Sequence, residues 1–284
     1  MRWRRFLGIL ALTTAGILGG VPLLTRGDDS PRRRLAGSRQ LSKRVCNPRE
    51  HKVDSSSSIQ APSTFRVAFH TTVSKTPVIF ESHRDWAPNG VDRFYALLTD
   101  NFFDCSPFHR IVPGFAVVFG YSDVSLNDKW KNPIPDDPVF QSNTLGFVTF
   151  DNEDVTDART TPLFVNLADN HYLDKADFPP VAQVVSGLKI LSKVYDPAPH
   201  SRFGANETQL KAQGSEWALS AYPEIDFIRF TEFLVIDGVT QPKDPTMQFY
   251  RGSHWTSWWV ILFAGIELLI LVRGWRQRTR RRDL

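Results

Sequence analysis

Short apolar runs separated by turn residues fill the middle of the chain. The segment STFRVAFHTT alternates apolar and polar positions, and TPVIFES follows it after a short Ser-Lys break, which predicts a β-hairpin. Five later runs, FHRIV, FAVVFG, GFVTF, PLFVNL and PPVAQVV, are short and bounded by turn residues, as in a small barrel or sandwich. The pattern therefore predicts a mainly β domain.

Two segments have helical rather than strand periodicity. The residues NGVDRFYALLT, from Asn89 to Thr99, place apolar side chains on one helical face, and Asn89 is a candidate N-cap. A second stretch, from Gly187 to Tyr195, repeats apolar residues at the same spacing. We therefore expect two helices beside the strands.

The two ends of the chain carry apolar segments of membrane length. Residues Phe6 to Leu24 contain no charge and follow three arginines, which predicts a signal anchor or a cleavable signal peptide over residues 1–24. Residues 255–272 begin with a cluster of tryptophans, as a transmembrane helix with an interfacial aromatic belt does. The lipid bilayer is therefore a predicted partner.

Charge and composition predict the orientation and the domain limits. Residues 273–284 form a basic tail, so the positive-inside rule predicts a cytosolic C-terminus. The body of the protein is then lumenal, in the secretory pathway, with the endoplasmic reticulum or Golgi as the expected membrane. Residues 25–60 are rich in Arg, Ser and Pro and predict a flexible lumenal stalk. The folded domain is expected over 61–238 and a juxtamembrane linker over 239–254.

Two further features fit a secretory compartment. Cys46 and Cys105 are the two cysteines of the chain, and they either form a disulfide between stalk and domain or remain as two buried thiols. The tripeptide Asn206-Glu207-Thr208 is an N-glycosylation sequon, which predicts a glycan on Asn206 if the chain enters the lumen.

Several classes of function find little support in the sequence. The formal net charge is +4, but the basic residues crowd the termini, which argues against nucleic-acid binding. The chain lacks a Gly-x-Ser-x-Gly motif for a hydrolase, and its cysteines and histidines lack zinc-ligand spacing. The acidic cluster Asp151, Glu153, Asp154 and Asp157 does not match a calcium loop, so a solvated loop is the preferred interpretation.

One constellation remains, an arginine in aromatic surroundings. Arg110 lies within SPFHRIVPGFAVVFG, and on its own this pattern describes a barrel core with one arginine at its rim. The stretch FHRIVPGFAVVFG nevertheless resembles the signature of cyclophilin-type peptidyl-prolyl isomerases, and LGFVTF, RTTPLFVNLADNHYLD and FPPVAQVVSGLKIL are similar to later blocks of that family. The resemblance covers residues 63–236 in order and in approximate spacing.

The resemblance implies both a fold and a site. The implied fold is an eight-stranded antiparallel β-barrel closed by two α-helices, with a groove for proline-containing polypeptides on its outside. Arg110 matches the catalytic arginine, and no metal or cofactor is needed. The positions that match the peptide-binding pocket are Phe115, Ala116, Val118, Phe164, Tyr172, Leu173 and Phe178.

The chain departs from the family pattern at polar positions. Ala116 stands where a methionine is usual, and Val118 and Pro162 stand where glutamines belong. These departures leave two hypotheses: a membrane-tethered isomerase acting on secretory or membrane clients, or a proline-peptide binding or scaffolding module with little turnover. The departures, together with Tyr172, also predict weak binding of cyclosporin.

Overall fold

The structure is a computed structural model of the 284-residue chain, and it describes residues 46–52, 59–152, 155–198 and 204–242. These residues fall, apart from Pro242, in a unit that ends at Gln241. The predicted membrane segments, 1–24 and 255–272, and the basic tail lie outside the described residues. Within the described ranges, no helix is long and apolar enough to cross a bilayer.

The described residues contain nine strands in one antiparallel sheet. The strands are β1 Thr64–Thr71, β2 Val78–His83, β3 Arg110–Val112, β4 Ala116–Phe119, β5 Phe147–Phe150, β6 Leu163–Asn166, β7 Pro180–Ser186, β8 Ile228–Ile236 and β9 Val239–Thr240. Their order across the sheet is β3-β4-β6-β5-β7-β2-β1-β8-β9.

Four α-helices and two 3-10 turns complete the described fold. The α-helices are α1 Pro88–Thr99, α2 Val124–Lys129, α3 Leu188–Leu191 and α4 Glu207–Ala221, and the 3-10 turns cover Arg84–Trp86 and His171–Ala176. The structure therefore corrects the prediction of two helices, because α2 and α4 were not expected. Helix α4 is interrupted at Gly214, whose φ of 72° is non-helical, and this interruption weakens the apolar periodicity that would have predicted it.

The strand count and two boundaries also differ from expectation. Strand β9 is two residues long and lies inside the segment predicted as a linker. It pairs with β8, which gives nine strands instead of eight. The helix predicted over Gly187–Tyr195 is the four-residue α3. Asn89 does not cap α1, since the N-cap position is occupied by Ala87.

Alternation along the strands separates an inner core from an outer face. The main hydrophobic core, which α1 also covers, contains two residues of β4 and four of nearby strands: Val117, Phe119, Val148, Phe150, Leu163 and Val165. Ala116, Val118 and Phe164 belong to a second, smaller cluster. Because successive side chains of a strand point to opposite faces, the same strands fill the core and line a separate outer surface.

The two ends of the sheet approach each other through a short backbone contact. Residues 105–108 precede β3 at one edge, and residues 226–228 lead into β8 near the other edge. Cys105 N donates to Ile228 O at 2.8 Å, Ile228 N donates to Ser106 O at 2.9 Å, and Phe108 N donates to Asp226 O at 2.9 Å. We call this contact the seam.

Residues 46–52, which we call the N-terminal strap, are held against the domain beside the seam. Cys46 and Cys105 form a disulfide, one of the two alternatives that the sequence left open. Arg49 forms an ion pair with Asp104 at 2.6 Å, and the side-chain nitrogen of Asn101 donates to Glu50 O at 2.7 Å. The flexible stalk predicted over 25–60 therefore does not extend through the strap.

Candidate functional site

Arg110 is the first residue of β3, where that strand joins the outer face of the sheet. Its Cα partner is Val118 on β4, and Val118 in turn pairs with Phe164 on β6. Only 7% of Arg110 is exposed. Strand register therefore places the predicted catalytic arginine in one row with two of the predicted pocket residues.

The predicted pocket residues come together on this outer face. Five of them, Ala116, Val118, Phe164, Leu173 and Phe178, form the second hydrophobic cluster, and Phe115 packs against it. Leu173 is supplied by the 3-10 turn His171–Ala176, which covers the strands from outside.

The aromatic rings of the pocket divide into a buried floor and an accessible wall. Phe164 and Phe178 are fully buried, with ring centroids 5.8 Å apart in an edge arrangement. Phe115 stacks on Phe164 at 6.5 Å and on Tyr172 at 6.4 Å, and Tyr172 is 46% exposed. Tyr172 and Phe115 are thus the outer rings of the cluster, with Phe164 and Phe178 behind them.

A network of buried amides holds the pocket from below, and sequence reasoning did not find it. Asn143 donates from its side chain to Phe178 O at 2.8 Å and to Asp174 at 2.9 Å, and it accepts from Thr149 at 2.8 Å. Asn170 donates to Phe115 O at 3.1 Å and to Asn166 at 2.7 Å. The network therefore fixes the backbone of two pocket phenylalanines.

The signal that could have pointed to part of this network is the one polar residue of β6, Asn166. Asn166 lies at the strand end, two residues after Phe164, so it shares the outer face with that ring. Its side chain donates to Asn143 at 3.2 Å and to Phe147 O at 3.1 Å. A fully buried amide on an otherwise apolar face needs partners, which marks the position as structurally constrained.

The charge of Arg110 is set by burial and by two carboxylates. Burial lowers the pKa of Arg110, whereas Asp151 and Glu207 act to raise it. Burial acts to raise the pKa of Glu207, but His109, Arg110 and Lys211 outweigh it, and the pKa lies below its ordinary value. A guanidinium with two carboxylates near it stays charged despite its burial.

Asp151 was expected in a solvated acidic loop, and the structure corrects this interpretation for that residue. Asp151 directly follows β5 and is partly buried, its backbone N donates to Pro162 O at 2.9 Å, and its charge acts on Arg110. Glu153 and Asp154 lie outside the described residues. Among the described residues, no group of acidic, histidine or cysteine side chains has the arrangement of a metal site.

Asn206 has a structural role in addition to its predicted modification. It is the N-cap of α4, and its side-chain oxygen accepts from Gln209 N at 3.1 Å. The residue is exposed. Capping uses the amide oxygen, whereas a glycan is attached to the amide nitrogen, so the two roles do not compete for one atom.

A surface cavity of about 330 Å³ lies apart from these residues. It is lined by Ile111, Pro113, Gly114, Leu145, Leu167, Leu188, Lys189 and Ser192. Ile111 follows Arg110 on β3 and so points to the opposite face of that strand. The cavity contains none of the predicted site residues and is separate from the aromatic pocket.

The fold and the site define a predominantly antiparallel β protein with a buried arginine beside an apolar, aromatic pocket. The family model described as Cyclophilin type peptidyl-prolyl cis-trans isomerase/CLD matches residues 66–212, which is more than half of the chain. The chain therefore belongs to the cyclophilin-type peptidyl-prolyl cis-trans isomerases. The suspected resemblance is confirmed, and the protein is an isomerase of this type.

Individual relatives agree with this assignment at low identity. A peptidyl-prolyl cis-trans isomerase from Acinetobacter baylyi is 25% identical over 133 residues, which are 45% of this chain and 70% of the relative. Peptidyl-prolyl cis-trans isomerase A from Dickeya dadantii is 27% identical over 114 residues, 38% of this chain and 60% of the relative. Peptidyl-prolyl cis-trans isomerase B from Escherichia coli is 25% identical over 137 residues, 45% of this chain and 82% of the relative.

Among solved structures, a cyclophilin type peptidyl-prolyl cis-trans isomerase from Cryptosporidium parvum aligns with 63% of this chain and 99% of its own, with a TM-score of 0.46 and 12% identity. A cyclophilin from Hirschia baltica aligns with 68% of this chain and 85% of its own, with a TM-score of 0.45 and 12% identity.

Proposed function

We propose that the chain accelerates X-Pro isomerisation in secretory or membrane client proteins, with Arg110 as the catalytic residue. The observation that carries the proposal is the register Arg110–Val118–Phe164, which sets a guanidinium beside an apolar cluster on an outer face of the sheet. The pocket takes the proline ring, and Phe115 and Tyr172 form the wall that a peptide reaches first.

This reaction requires one hydrogen-bond donor placed near the prolyl nitrogen. Twisting an X-Pro bond breaks amide resonance, with a barrier of about 18–20 kcal/mol, and the prolyl nitrogen becomes pyramidal at the top of that barrier. A guanidinium N–H donated to this nitrogen stabilises the twisted state more than the planar one, which is the condition for catalysis. Arginine suits this task because it stays charged and presents a rigid set of donors.

A second candidate is a proline-peptide binding module with little turnover. The side chains of Val118 and Pro162 favour it, because neither can hydrogen-bond to a peptide or to Arg110. The same assay separates the two candidates, since the module binds peptide without accelerating isomerisation.

We also propose that the domain lies in the lumen of the secretory pathway, tethered by residues 255–272, with a cytosolic tail over 273–284. The Cys46–Cys105 disulfide supports a lumenal domain, because disulfides persist in oxidising compartments. The exposed Asn206 in its sequon supports the same side of the membrane, since its acceptor amide is accessible. The clients are then proline-containing polypeptides that fold in that lumen.

The test of catalysis is Arg110→Ala in the full-length chain, purified in detergent micelles. A protease-coupled assay with a short proline peptide should show wild-type turnover and a loss of about 100-fold in kcat/KM for the variant, the size of effect seen when one placed donor is removed. Arg110→Lys should fall between them, because lysine keeps the charge but not the donor fork.

Arg66→Ala is the matched control. Arg66 is a surface arginine on β1, paired with Glu81, so its loss should leave kcat/KM unchanged. Wild-type turnover that survives Arg110→Ala in a folded variant would refute the catalytic role. A wild-type chain that binds the peptide without turning it over would establish the binding module instead.

A further inference from the structure

The surface cavity of about 330 Å³ is formed where several strands of the sheet meet α3. Its apolar lining comes from β3, the β3–β4 turn, the residues beside β5 and β6, and α3: Ile111, Pro113, Gly114, Leu145, Leu167 and Leu188. The volume is at the lower end of the range of ligand sites, about 300–1,000 Å³. The cavity therefore has the size and the lining for an aliphatic side chain.

Backbone hydrogen bonds hold the walls of the cavity together. Phe115 N donates to Val112 O at 2.9 Å and closes the β3–β4 turn, and Leu167 N donates to Phe115 O at 2.8 Å. On the approach to β5, Gly146 N donates to Asn166 O at 2.8 Å. Because these segments are bonded to one another, the cavity exists before any ligand binds.

The cavity adjoins the aromatic pocket along the chain. Gly114 lines the cavity, and the next residue, Phe115, packs against the apolar cluster of the pocket. Phe115 O accepts from Leu167 N at the cavity and from the Asn170 side chain in the amide network of the pocket. Consecutive Cα atoms are only about 3.8 Å apart, so a polypeptide with its proline in the pocket reaches the cavity within a few residues.

The cavity is open to solvent, which favours a side chain of a polypeptide as its occupant. Leu145 is 49% exposed, and Pro113 and Gly114 are exposed as well. A bound small molecule usually has about 70–90% of its surface buried, which an open cavity does not provide. A side chain that projects from a surface-bound polypeptide needs to bury only its own apolar atoms.

The polar residues of the lining determine the charge of the preferred occupant. Lys189 and Ser192 line the cavity and are exposed, and Lys189 forms no ion pair with another residue in the part of the chain that the structure describes. The Ser192 hydroxyl donates to Lys189 O at 3.0 Å and can still accept a hydrogen bond. An ammonium beside an apolar cavity complements a carboxylate beside an aliphatic group.

We propose that this cavity is a second binding site for client polypeptides, which takes an aliphatic side chain with an acidic residue next to it, a few residues from the proline. The aliphatic group fills the apolar lining, and the carboxylate pairs with Lys189. The second site gives the domain a preference among proline-containing segments that the pocket alone does not supply. The inference rests on the proposed function, because it assigns the client a second point of contact.

The test extends the short proline peptide by Leu-Glu or by Ser-Ser, after a Gly-Ser spacer, on either side of the proline. The full-length chain is placed in phosphatidylcholine nanodiscs, so that no detergent fills an apolar cavity, and Kd is measured by fluorescence anisotropy. On one side we expect Leu-Glu to bind about tenfold more tightly than Ser-Ser, since the burial of one aliphatic side chain is partly offset by ordering of the peptide. Equal Kd values on both sides would overturn the proposal.

Two variants alter the cavity itself, Lys189→Glu and Ser192→Phe. Both positions are exposed, so the domain should fold in each variant. The advantage of Leu-Glu over Ser-Ser should fall below twofold in both, because the first reverses the charge and the second places a ring in the cavity. A Leu-Lys extension should gain affinity in Lys189→Glu, where the charges are again opposite.

Lys193→Glu is the matched control for the charge reversal. Lys193 is an exposed lysine just after α3, but it does not line the cavity. The tenfold advantage of Leu-Glu should persist in this variant. A loss as large as that in Lys189→Glu would show a general effect of charge and would overturn the proposal.

The methyl resonances of Leu145 and Leu188 report where the extension binds. They should shift with the Leu-Glu peptide and stay in place with the Ser-Ser peptide, and a gain in affinity without these shifts would contradict the proposal. Nanodiscs that contain phosphatidylserine test an anionic lipid as the competing occupant. Shifts of the same resonances in those nanodiscs without peptide would assign the cavity to lipid instead.

Failure of this inference is distinguishable from failure of the proposed function. A chain that isomerises the short peptide but binds both extensions equally lacks only the second site. A chain that prefers Leu-Glu through Lys189 but does not isomerise the peptide has the second site and is a binding module.

Discussion

The pocket floor depends on buried amides whose hydrogen bonds are almost fully used. Asn143 is fully buried and uses both its amide nitrogen and its amide oxygen, with Phe178 O, Asp174 and Thr149 as partners. Its backbone N also donates to Asp174 at 2.8 Å. Removing one member of such a network leaves several buried groups without a partner, which costs more than the bonds themselves contribute.

We expect Asn143→Ala to lower the free energy of unfolding by about 2–4 kcal/mol, because Phe178 O and the Thr149 hydroxyl lose their partner in a buried site. Asn170→Ala is the control, since Phe115 O would still accept from Leu167 N at 2.8 Å, and we expect about 1 kcal/mol. Urea denaturation of the two variants measures both values. Equal losses would show that Asn143 does not carry the network.

The position of Asp174 makes this network sensitive to acid. Burial acts to raise the pKa of Asp174, but hydrogen bonds from Ser142 and Asn143 lower it below the ordinary value. A carboxylate whose pKa is lowered on folding stabilises the protein above its unfolded pKa, and that contribution is lost as the pH falls through the folded pKa. Acid therefore loosens the pocket floor.

At the scale of elements, α1 begins with a cap that comes from a distant part of the chain. Asp137 accepts from Asn89 N at 2.9 Å and from Gly90 N at 2.8 Å, which satisfies two free N–H groups of the first helical turn. The same carboxylate forms an ion pair with Arg159 at 2.9 Å, and Arg159 is fully buried. One side chain thus joins a helix start to a buried charge.

Asp137→Ala should destabilise the protein by about 3–5 kcal/mol, because it removes the cap and leaves Arg159 with less compensation for its buried charge. Asn89→Ala is the informative comparison. Its side chain was predicted to cap α1 from the sequence, but it is exposed and should cost less than about 0.5 kcal/mol. Thermal denaturation of both variants decides between a local and a distant cap.

Local patterns in the sequence predicted the elements that the core requires. The alternation in STFRVAFHTT and the helical spacing of Asn89–Thr99 appear as β1 and α1, because burial of one face imposes a period on the sequence. Contacts between residues that are distant in the chain produce no periodic pattern in the sequence. Asp137 caps a helix that begins at Pro88, 49 residues earlier, and no residue near Asp137 in the sequence marks it as a cap.

The candidate site also contains residues that the sequence predicted and residues that it did not. Arg110 and the seven pocket positions followed from a family resemblance that rests on contiguous motifs, and the structure brings them onto one face. Asn143 reaches the pocket floor from elsewhere in the chain, through Phe178 O, and its spacing to Arg110 has no period. Residues that support a site from other elements are therefore missed even where the site itself is predicted.

At the scale of the whole molecule, the strap and the seam lie side by side. Cys105 takes part in both, through its disulfide to Cys46 and its backbone bond to Ile228 O. The Arg49 guanidinium adds a bidentate contact to Asp104, with distances of 2.6 and 2.7 Å, and lies 5.8 Å from the ring centroid of Phe230 on β8. The strap therefore connects the approach to β3 with β8 across the seam.

We expect Cys46→Ala to lower the free energy of unfolding by about 2–4 kcal/mol, because the disulfide spans 59 residues and restricts the unfolded chain. Cys46 is the better site for the substitution, since Cys105 is buried and has a positive φ of 65°. The loss should stay within this range because the Arg49–Asp104 contact still holds the strap. Urea denaturation of the full chain in micelles measures it.

The reductant dependence of the same experiment provides the control. Wild-type protein unfolded in the presence of a thiol reductant should match Cys46→Ala, and Cys46→Ala itself should not respond to the reductant. If the wild type is equally stable with and without reductant, the disulfide does not support the seam.

The disulfide and the Arg49–Asp104 ion pair are two separate links that hold the strap. We expect the double variant Arg49→Ala, Cys46→Ala to lose more free energy of unfolding than the two single variants together, because either link alone can keep the strap in place and only their joint removal frees it.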